Sequence, residues 1–305
     1  MSRRYLVWLE WPEICFKASA KDIECLRDLV SGKGEVVWAR SEKEFIEALP
    51  EATHAVAWHF RKEWFPTAGK LEVLATPAAG REFIAWRDAP AGVKVHFGKF
   101  HGRIIGESVL AFCQAWVRGF FRVERMRLEG ESIWPRGKIS GSCGSVAGTK
   151  AVIAGRGNVG KGIADLLEAN GVEVFLAGRD NAGEMEKRMP DTDWFVLALP
   201  GDSGTDNFLD ARRIALLPDR ATVVNVGRGN AIDEDALAKA LDEGSIAGAY
   251  LDVFKGEPTQ LAGDGAAASK GLWENPKVVA MPHSSAFSPD YLKMTFMELD
   301  REGLL

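Results

Sequence analysis

Cysteine is scarce in this chain: Cys15, Cys25, Cys113 and Cys143 are the whole complement among 305 residues. Their spacing matches neither a metal-ligand cluster nor a disulfide framework, so buried, reduced thiols in a cytoplasmic protein are expected and no metal site is. Positive charge is also in short supply, with 38 Lys and Arg against 43 Asp and Glu and a net charge of −5. The basic residues are scattered and form no polybasic stretch, which argues against a nucleic-acid or membrane-surface partner. Long apolar runs are missing too: none approaches bilayer-spanning length. The opening apolar run is cut by Glu10, Pro12 and Glu13, earlier than a secretory signal allows. What remains is a composition suited to a soluble protein, with length enough for two domains.

Short β-rich runs alternate with amphipathic stretches along nearly the whole chain, the pattern of parallel sheets covered by helices. The first part predicts strands at 5–10, 35–39, 54–58, 71–75 and 93–96, with helices over 20–30 and 41–49, a small doubly wound arrangement of flavodoxin type. A long helix is predicted to start at Gly106-Glu107-Ser108 and to carry Val109, Leu110, Phe112, Cys113, Trp116 and Val117 as an apolar stripe. A second strand series follows at 150–154, 172–177, 194–198, 222–226, 246–252 and 278–281. The end of the chain has Tyr291, Leu292, Met294, Phe296 and Met297 at helical spacing. Each series is self-contained and the chain must continue past the second. We therefore expect a larger domain at 105–287 and a smaller, discontinuous one made of 1–104 and 288–305.

Gly155-Arg156-Gly157-Asn158-Val159-Gly160 follows a predicted strand and opens a predicted helix. In that setting Gly155 makes the tight turn, Gly157 lets backbone approach a pyrophosphate and Gly160 lets the helix sit close to the sheet. The N–H groups of Asn158 and Val159 at the helix start would bind the pyrophosphate, aided by the helix dipole. The larger domain is thus read as a Rossmann dinucleotide-binding domain. An acid about 20 positions on normally holds the ribose 2′-hydroxyl of NAD. Here the next strand ends in Gly178-Arg179-Asp180. Gly178 removes the repulsion a 2′-phosphate would meet and Arg179 offers a planar cation, so NADP is favoured over NAD. Asp180 leaves open a shifted register in which it binds a plain ribose.

Arg228, Glu257 and His283 follow the loop in order. An arginine to hold a carboxylate, a histidine to move a proton and a glutamate to tune that histidine are what reduction of a 2-oxo acid requires. Singly, each has a plainer reading: a surface ion pair, a loop Glu-Pro, a strand end. Their succession at the carboxyl ends of consecutive predicted strands, where doubly wound folds place ligands, makes coincidence improbable. His54, His59, His96 and His101 lack a matching carboxylate motif and read as structural or cleft-lining.

From about Leu71 to Ala286 the chain resembles the D-isomer-specific 2-hydroxyacid dehydrogenases, in the glyoxylate and hydroxypyruvate reductase branch. The resemblance rests on Thr76-Pro77-Ala78-Ala79-Gly80, Val146-Ala147-Gly148-Thr149-Lys150, Leu197-Ala198-Leu199-Pro200, Val224-Asn225-Val226-Gly227-Arg228-Gly229, Leu251-Asp252-Val253-Phe254-Lys255-Gly256-Glu257-Pro258 and Met281-Pro282-His283-Ser284-Ser285-Ala286. It implies hydride transfer between a nicotinamide dinucleotide and a small 2-oxo or D-2-hydroxy acid, and a homodimer. It also implies that Asp252 binds the nicotinamide carboxamide and that Leu199, Pro200, Val226, Gly227, His283 and Ser285 line the dinucleotide. The backbone around Ala79 and Gly80 would hold the substrate carboxylate, together with Arg228 and His283. Two alternatives stay open: a non-catalytic NAD(P)-sensing or corepressor-like module, and a formate-dehydrogenase-like enzyme, whose members carry Gln at the Glu257 position.

The chain departs from the family in three places. Glu257 and His283 are 26 positions apart, with an Ala/Gly/Ser-rich stretch at 262–271 in which a mobile loop is expected. Tyr250 stands where a small residue is commoner. Arg81-Glu82 replaces an apolar residue and an Asp or Asn, and Arg81, Lys99, His101 and Arg103 could favour a polar or anionic distal group on the substrate.

Overall fold

A computed structural model describes residues 3–131, 134–257 and 270–305, so all but the end of the Ala/Gly/Ser-rich stretch lies outside the described residues. The chain divides into two compact units, Met1–His101 with Phe287–Leu305, and Gly102–Ala286.

The first unit contains β1 (Arg3–Trp8), α1 (Ala20–Leu29), β2 (Gly34–Trp38), α2 (Glu42–Ala48), β3 (His54–Ala57), β4 (Val73–Thr76) and β5 (Lys94–Phe97). Its sheet is parallel throughout, in the order β2-β1-β3-β4-β5, the flavodoxin-type winding read from the sequence. Successive residues Tyr5, Leu6 and Val7 are all buried, as a strand covered on both faces requires. A capping box starts α1: Ser19 Oγ accepts from the Asp22 N–H, and the Asp22 carboxylate accepts from the Ser19 N–H at 2.9 Å.

The second unit runs through α3 (His101–Val117), α4 (Phe120–Leu128), α5 (Arg136–Ile139), β6 (Lys150–Ala154), α6 (Asn158–Ala169), β7 (Glu173–Ala177), α7 (Ala182–Arg188), β8 (Trp194–Leu197), α8 (Ala211–Ile214), β9 (Thr222–Asn225), α9 (Glu234–Glu243), β10 (Gly248–Leu251), α10 (Lys270–Trp273) and β11 (Val278–Ala280). Here the parallel order is β7-β6-β8-β9-β10-β11. Phe195 and Leu197 of β8 face one apolar cluster while Trp194 and Val196 face another, so both faces are covered. The chain winds from β6 out to β7 and returns to β8 on the other side of β6. That reversal opens a crevice at the carboxyl ends of β6 and β8, where Rossmann folds bind ligands.

The chain then re-enters the first unit in α11 (Tyr291–Arg301), which packs on α1. Glu298 is buried there, accepting from His96 Nε2 at 2.7 Å and the Lys99 N–H at 3.0 Å.

Two expectations need correcting. The long helix begins at His101, not Gly106. Gly102 and Gly106 are contact points with α6: a Cβ on Gly102 would run into the Asn158 carbonyl, and one on Gly106 would meet the Gly162 carbonyl at 2.9 Å. These glycines serve close backbone approach and do not mark a helix start. Of the cysteines, all free, only Cys113 is fully buried; Cys15, Cys25 and Cys143 are partly exposed. No single helix among the described residues is long and apolar enough to cross a membrane.

Candidate active site

The glycine loop sits at the reversal point of the second unit. Gly155 has φ +125°, and a side chain there would strike the Ala198 carbonyl at the end of β8. A side chain at Gly160 would strike the Gly155 carbonyl, so the start of α6 is pressed onto its own loop. The surroundings of Gly157 are open. No side chain caps the first turn of α6, which leaves the amides of Asn158 and Val159 without an intrahelical acceptor. These residues fit a pyrophosphate: donors, a helix N-terminus and room for the ligand.

At the end of β7, Asn181 Oδ1 accepts from the Gly178 N–H at 2.6 Å and sets a tight turn. Arg179 projects outward, its side chain 92% exposed and its guanidinium 3.8 Å from Asp202. Leu199 and Pro200 follow β8, and the Pro200 carbonyl accepts from Thr205 Oγ1 at 2.6 Å.

The ends of β9, β10 and β11 meet in one cluster. Buried Asn225 accepts from the Gly227 N–H at 3.1 Å and donates to the Arg228 carbonyl at 3.1 Å, folding Val226-Gly227-Arg228 into a compact turn. Gly227 lies against Leu199 and Gly229 against the Phe254 backbone, so this turn is wedged between its neighbours. The Asp252 carboxylate accepts from the N–H of Ser284 at 2.8 Å and of Ser285 at 3.1 Å, while its carbonyl accepts from the His283 N–H at 2.8 Å. Those bonds hold His283 at φ +53°, in the left-handed region. Ser285 is buried, its hydroxyl 2.8 Å from Tyr250 Oη and its carbonyl accepting from Ser108 Oγ at 3.0 Å. Tyr250 stacks on Phe112 at 4.9 Å, and burial pushes its hydroxyl up to about 12.

Glu257 is anchored through both oxygens. Oε1 accepts from the Phe254 N–H at 2.9 Å and Oε2 lies 2.8 Å from His283 Nδ1. The bond to Glu257 raises the imidazole above its ordinary value against the opposing effect of burial, with the Arg228 charge pulling slightly the other way. Burial alone would push Glu257 up, but the His283 bond, the imidazolium charge, the Phe254 amide and Arg228 together hold it below the usual carboxylate range. The charge of Arg228 is therefore felt by both members of the pair. With Nδ1 committed to Glu257, Nε2 of the half-exposed ring is the atom left to exchange a proton.

A family model described as the NAD binding domain of D-isomer specific 2-hydroxyacid dehydrogenases matches residues 110–285, more than half of the chain. The chain belongs to the D-isomer specific 2-hydroxyacid dehydrogenase family. Glyoxylate/hydroxypyruvate reductase B of Pectobacterium carotovorum subsp. carotovorum is 30% identical over 192 residues, 59% of this chain and 57% of that relative. The chain thus spans little more than half of the relative's length. Among solved structures, the D-isomer specific 2-hydroxyacid dehydrogenase of Lactobacillus delbrueckii ssp. bulgaricus, in its NAD complexed form, gives a TM-score of 0.77 at 18% identity over 99% of this chain and 96% of that one. The corresponding protein of Xanthobacter autotrophicus Py2, in complex with NADPH and MES, gives 0.74 at 24% identity over 99% and 95%. At these identities the likeness is one of fold.

The remaining candidates fall in the first unit, apart from Arg103, which lies in the second. Ala79 is exposed and Gly80 half-buried in the loop after β4, where the Ala78 N–H donates to Thr76 Oγ1 at 3.3 Å. The Glu82 carboxylate lies against the Gly80 α-carbon. The four cationic candidates for a distal subsite have partners of their own: Lys99 bonds Glu302 at 2.7 Å, His101 bonds Tyr291 Oη at 2.6 Å, Arg103 bonds Glu107 at 3.1 Å and Arg81 lies over Trp86 at 5.2 Å. Lys99 and Arg103 are paired with carboxylates, whereas Arg81 has an aromatic ring for a neighbour and keeps its charge. His54 is buried and pushed down to about 4 by that burial, in keeping with a structural role.

Sequence reasoning missed Asn225, Tyr250 and Arg156. Asn225 belongs to the same motif as Arg228, and a polar residue closing the apolar run Val223-Val224 is the signal that could have found it. Tyr250 departs from the family's small residue, and only the fold brings its partners Ser285 and Phe112 to it. Arg156 is the residue between the first two glycines, and nothing in the motif says where its side chain goes.

Proposed function

We propose that this protein reduces a small 2-oxo acid, such as glyoxylate or hydroxypyruvate, to the D-2-hydroxy acid, with NADP(H) favoured over NAD(H). The observation that carries this reading is the 2.8 Å Glu257–His283 pair beside the Arg228 charge, in the same unit as the glycine loop. When bound, the nicotinamide dinucleotide supplies the hydride. Gly155, Gly157, Asn158, Val159 and Gly160 would hold its pyrophosphate, Gly178 and Arg179 its adenosine ribose, and Leu199, Pro200, Val226, Gly227, Asp252, His283 and Ser285 the nicotinamide half. Asp252 has a second task, because its carboxylate already clamps the backbone of Ser284 and Ser285.

In reduction the carbonyl oxygen gains negative charge as its carbon accepts hydride. A protonated His283, held by Glu257 through Nδ1, donates from Nε2 to that oxygen. Arg228 binds the carboxylate and polarises the carbonyl. Gly178 presents no acid to a 2′-phosphate, and the solved relative from Xanthobacter autotrophicus was obtained with NADPH. A cytoplasmic homodimer completes the proposal. A second copy of the chain would cover Phe120 and Leu128 of α4 and Trp134 after it, which are 66%, 71% and 79% exposed.

Turnover of NADPH and NADH with a panel from glyoxylate through hydroxypyruvate to branched apolar 2-oxo acids tests this function. Oxidation of NADPH with the two small acids is the expected result. No turnover with any 2-oxo acid would leave a nucleotide-sensing role, and turnover of formate alone would point to the other enzyme class.

The pH profile tests the dyad. The imidazole is raised by Glu257, so the proton-donating form persists to higher pH than in a free histidine. Glu257→Gln removes the negative partner, and the basic limb of kcat/KM for reduction should move to lower pH. An unmoved limb would separate Glu257 from the chemistry.

A further inference from the structure

Arg156 is the only charged residue of the glycine loop, and its side chain does not point away from the site. Gly178 directly follows β7, at the position where a dinucleotide-binding fold of this kind ordinarily places the acid that reads the ribose 2′-hydroxyl. A Cβ built on Gly178 would lie 2.9 Å from both Cζ and Nη2 of Arg156. The guanidinium therefore covers the bare α-carbon and fills the space an acidic side chain would take. Nη2 bonds the Asp180 carboxylate two residues further along, which fixes the plane of the guanidinium over the turn. Arg179, in contrast, stands 92% exposed.

We propose that Arg156, pinned over Gly178 by Asp180, is the primary cation for the 2′-phosphate of an NADP-type dinucleotide, with Arg179 as a weaker, mobile second. This rests on the NADP reading above and names the residue that would produce it. A guanidinium has five N–H donors in one plane, so the bond to Asp180 leaves donors for phosphate oxygens. Asp180 alone would repel a dianion at this place; paired, it serves to orient its partner. The reading also accounts for glycine at 178, since any side chain there would displace the guanidinium.

The experiment is calorimetric binding of two nucleotides without nicotinamide, adenosine 2′,5′-bisphosphate and adenosine 5′-monophosphate, to the intact protein. The wild type should prefer the 2′-phosphorylated nucleotide. Arg156→Met should cut that preference by about tenfold through loss of affinity for the bisphosphate, with 5′-monophosphate binding unchanged. Arg179→Met should cut it less, and Arg156→Lys should fall between wild type and Arg156→Met because an ammonium cannot span two oxygens. An Arg156→Met protein that keeps the preference overturns the proposal while the NADP reading stands. Equal loss of both nucleotides also overturns it, since Arg156 would then serve the loop and not the phosphate. A wild type that binds both nucleotides equally overturns the NADP reading and this proposal together.

Discussion

His283→Ala is expected to lower kcat for reduction of a 2-oxo acid by roughly 10²–10⁴-fold, the usual worth of a positioned general acid. The dinucleotide should still bind, because the glycine loop, Gly178 and the turn at Leu199-Pro200 are built without the imidazole. Fluorescence titration with NADPH beside steady-state kinetics separates the two effects. A variant that loses cofactor affinity and rate in equal measure would show that His283 supports the binding site and does not transfer the proton. Asp252 makes the variant informative: it holds the main chain of residues 283–285 through backbone donors, so the turn should survive loss of the ring.

The second large effect is expected at Arg228. Arg228→Ala should reduce kcat/KM by about 10²–10³-fold, the scale of losing a charged donor aimed at developing negative charge. Arg228→Lys should recover little, since a point charge cannot hold a carboxylate with two parallel bonds. The residual activity carries a second signature. The Arg228 charge lowers the His283 pKa, opposing Glu257. Removing it should move the basic limb of the pH profile upward, opposite to the shift expected for Glu257→Gln. A downward shift would mean that Arg228 does not face the dyad.

The central strands were legible because they are buried on both faces, and β8 reads as an uninterrupted apolar run, Trp194-Phe195-Val196-Leu197. The start of α3 was not, because Gly102 and Gly106 look like interruptions in one dimension and are contacts with α6 in three. Arg228, Glu257 and His283 could be singled out in the sequence because each lies in the loop that follows a strand, within six residues of its end. Arg156 and Gly178 lie far apart along the chain and meet only through the pairing of β6 with β7, which no local pattern reports. The clamp of Asp252 on Ser284 and Ser285 was hidden for the same reason: it depends on β10 lying beside β11.

His283 sits in a region of backbone space that histidine visits uncommonly, at a cost on the order of 1–2 kcal/mol. The expense falls during folding. In the reaction proposed above, the imidazole would enter each turnover already aimed, its Nδ1 held by Glu257 and its main chain by Asp252. On that proposal the strain in this one turn is stability given up for speed, and a variant that relaxed it would be expected to be sturdier and slower.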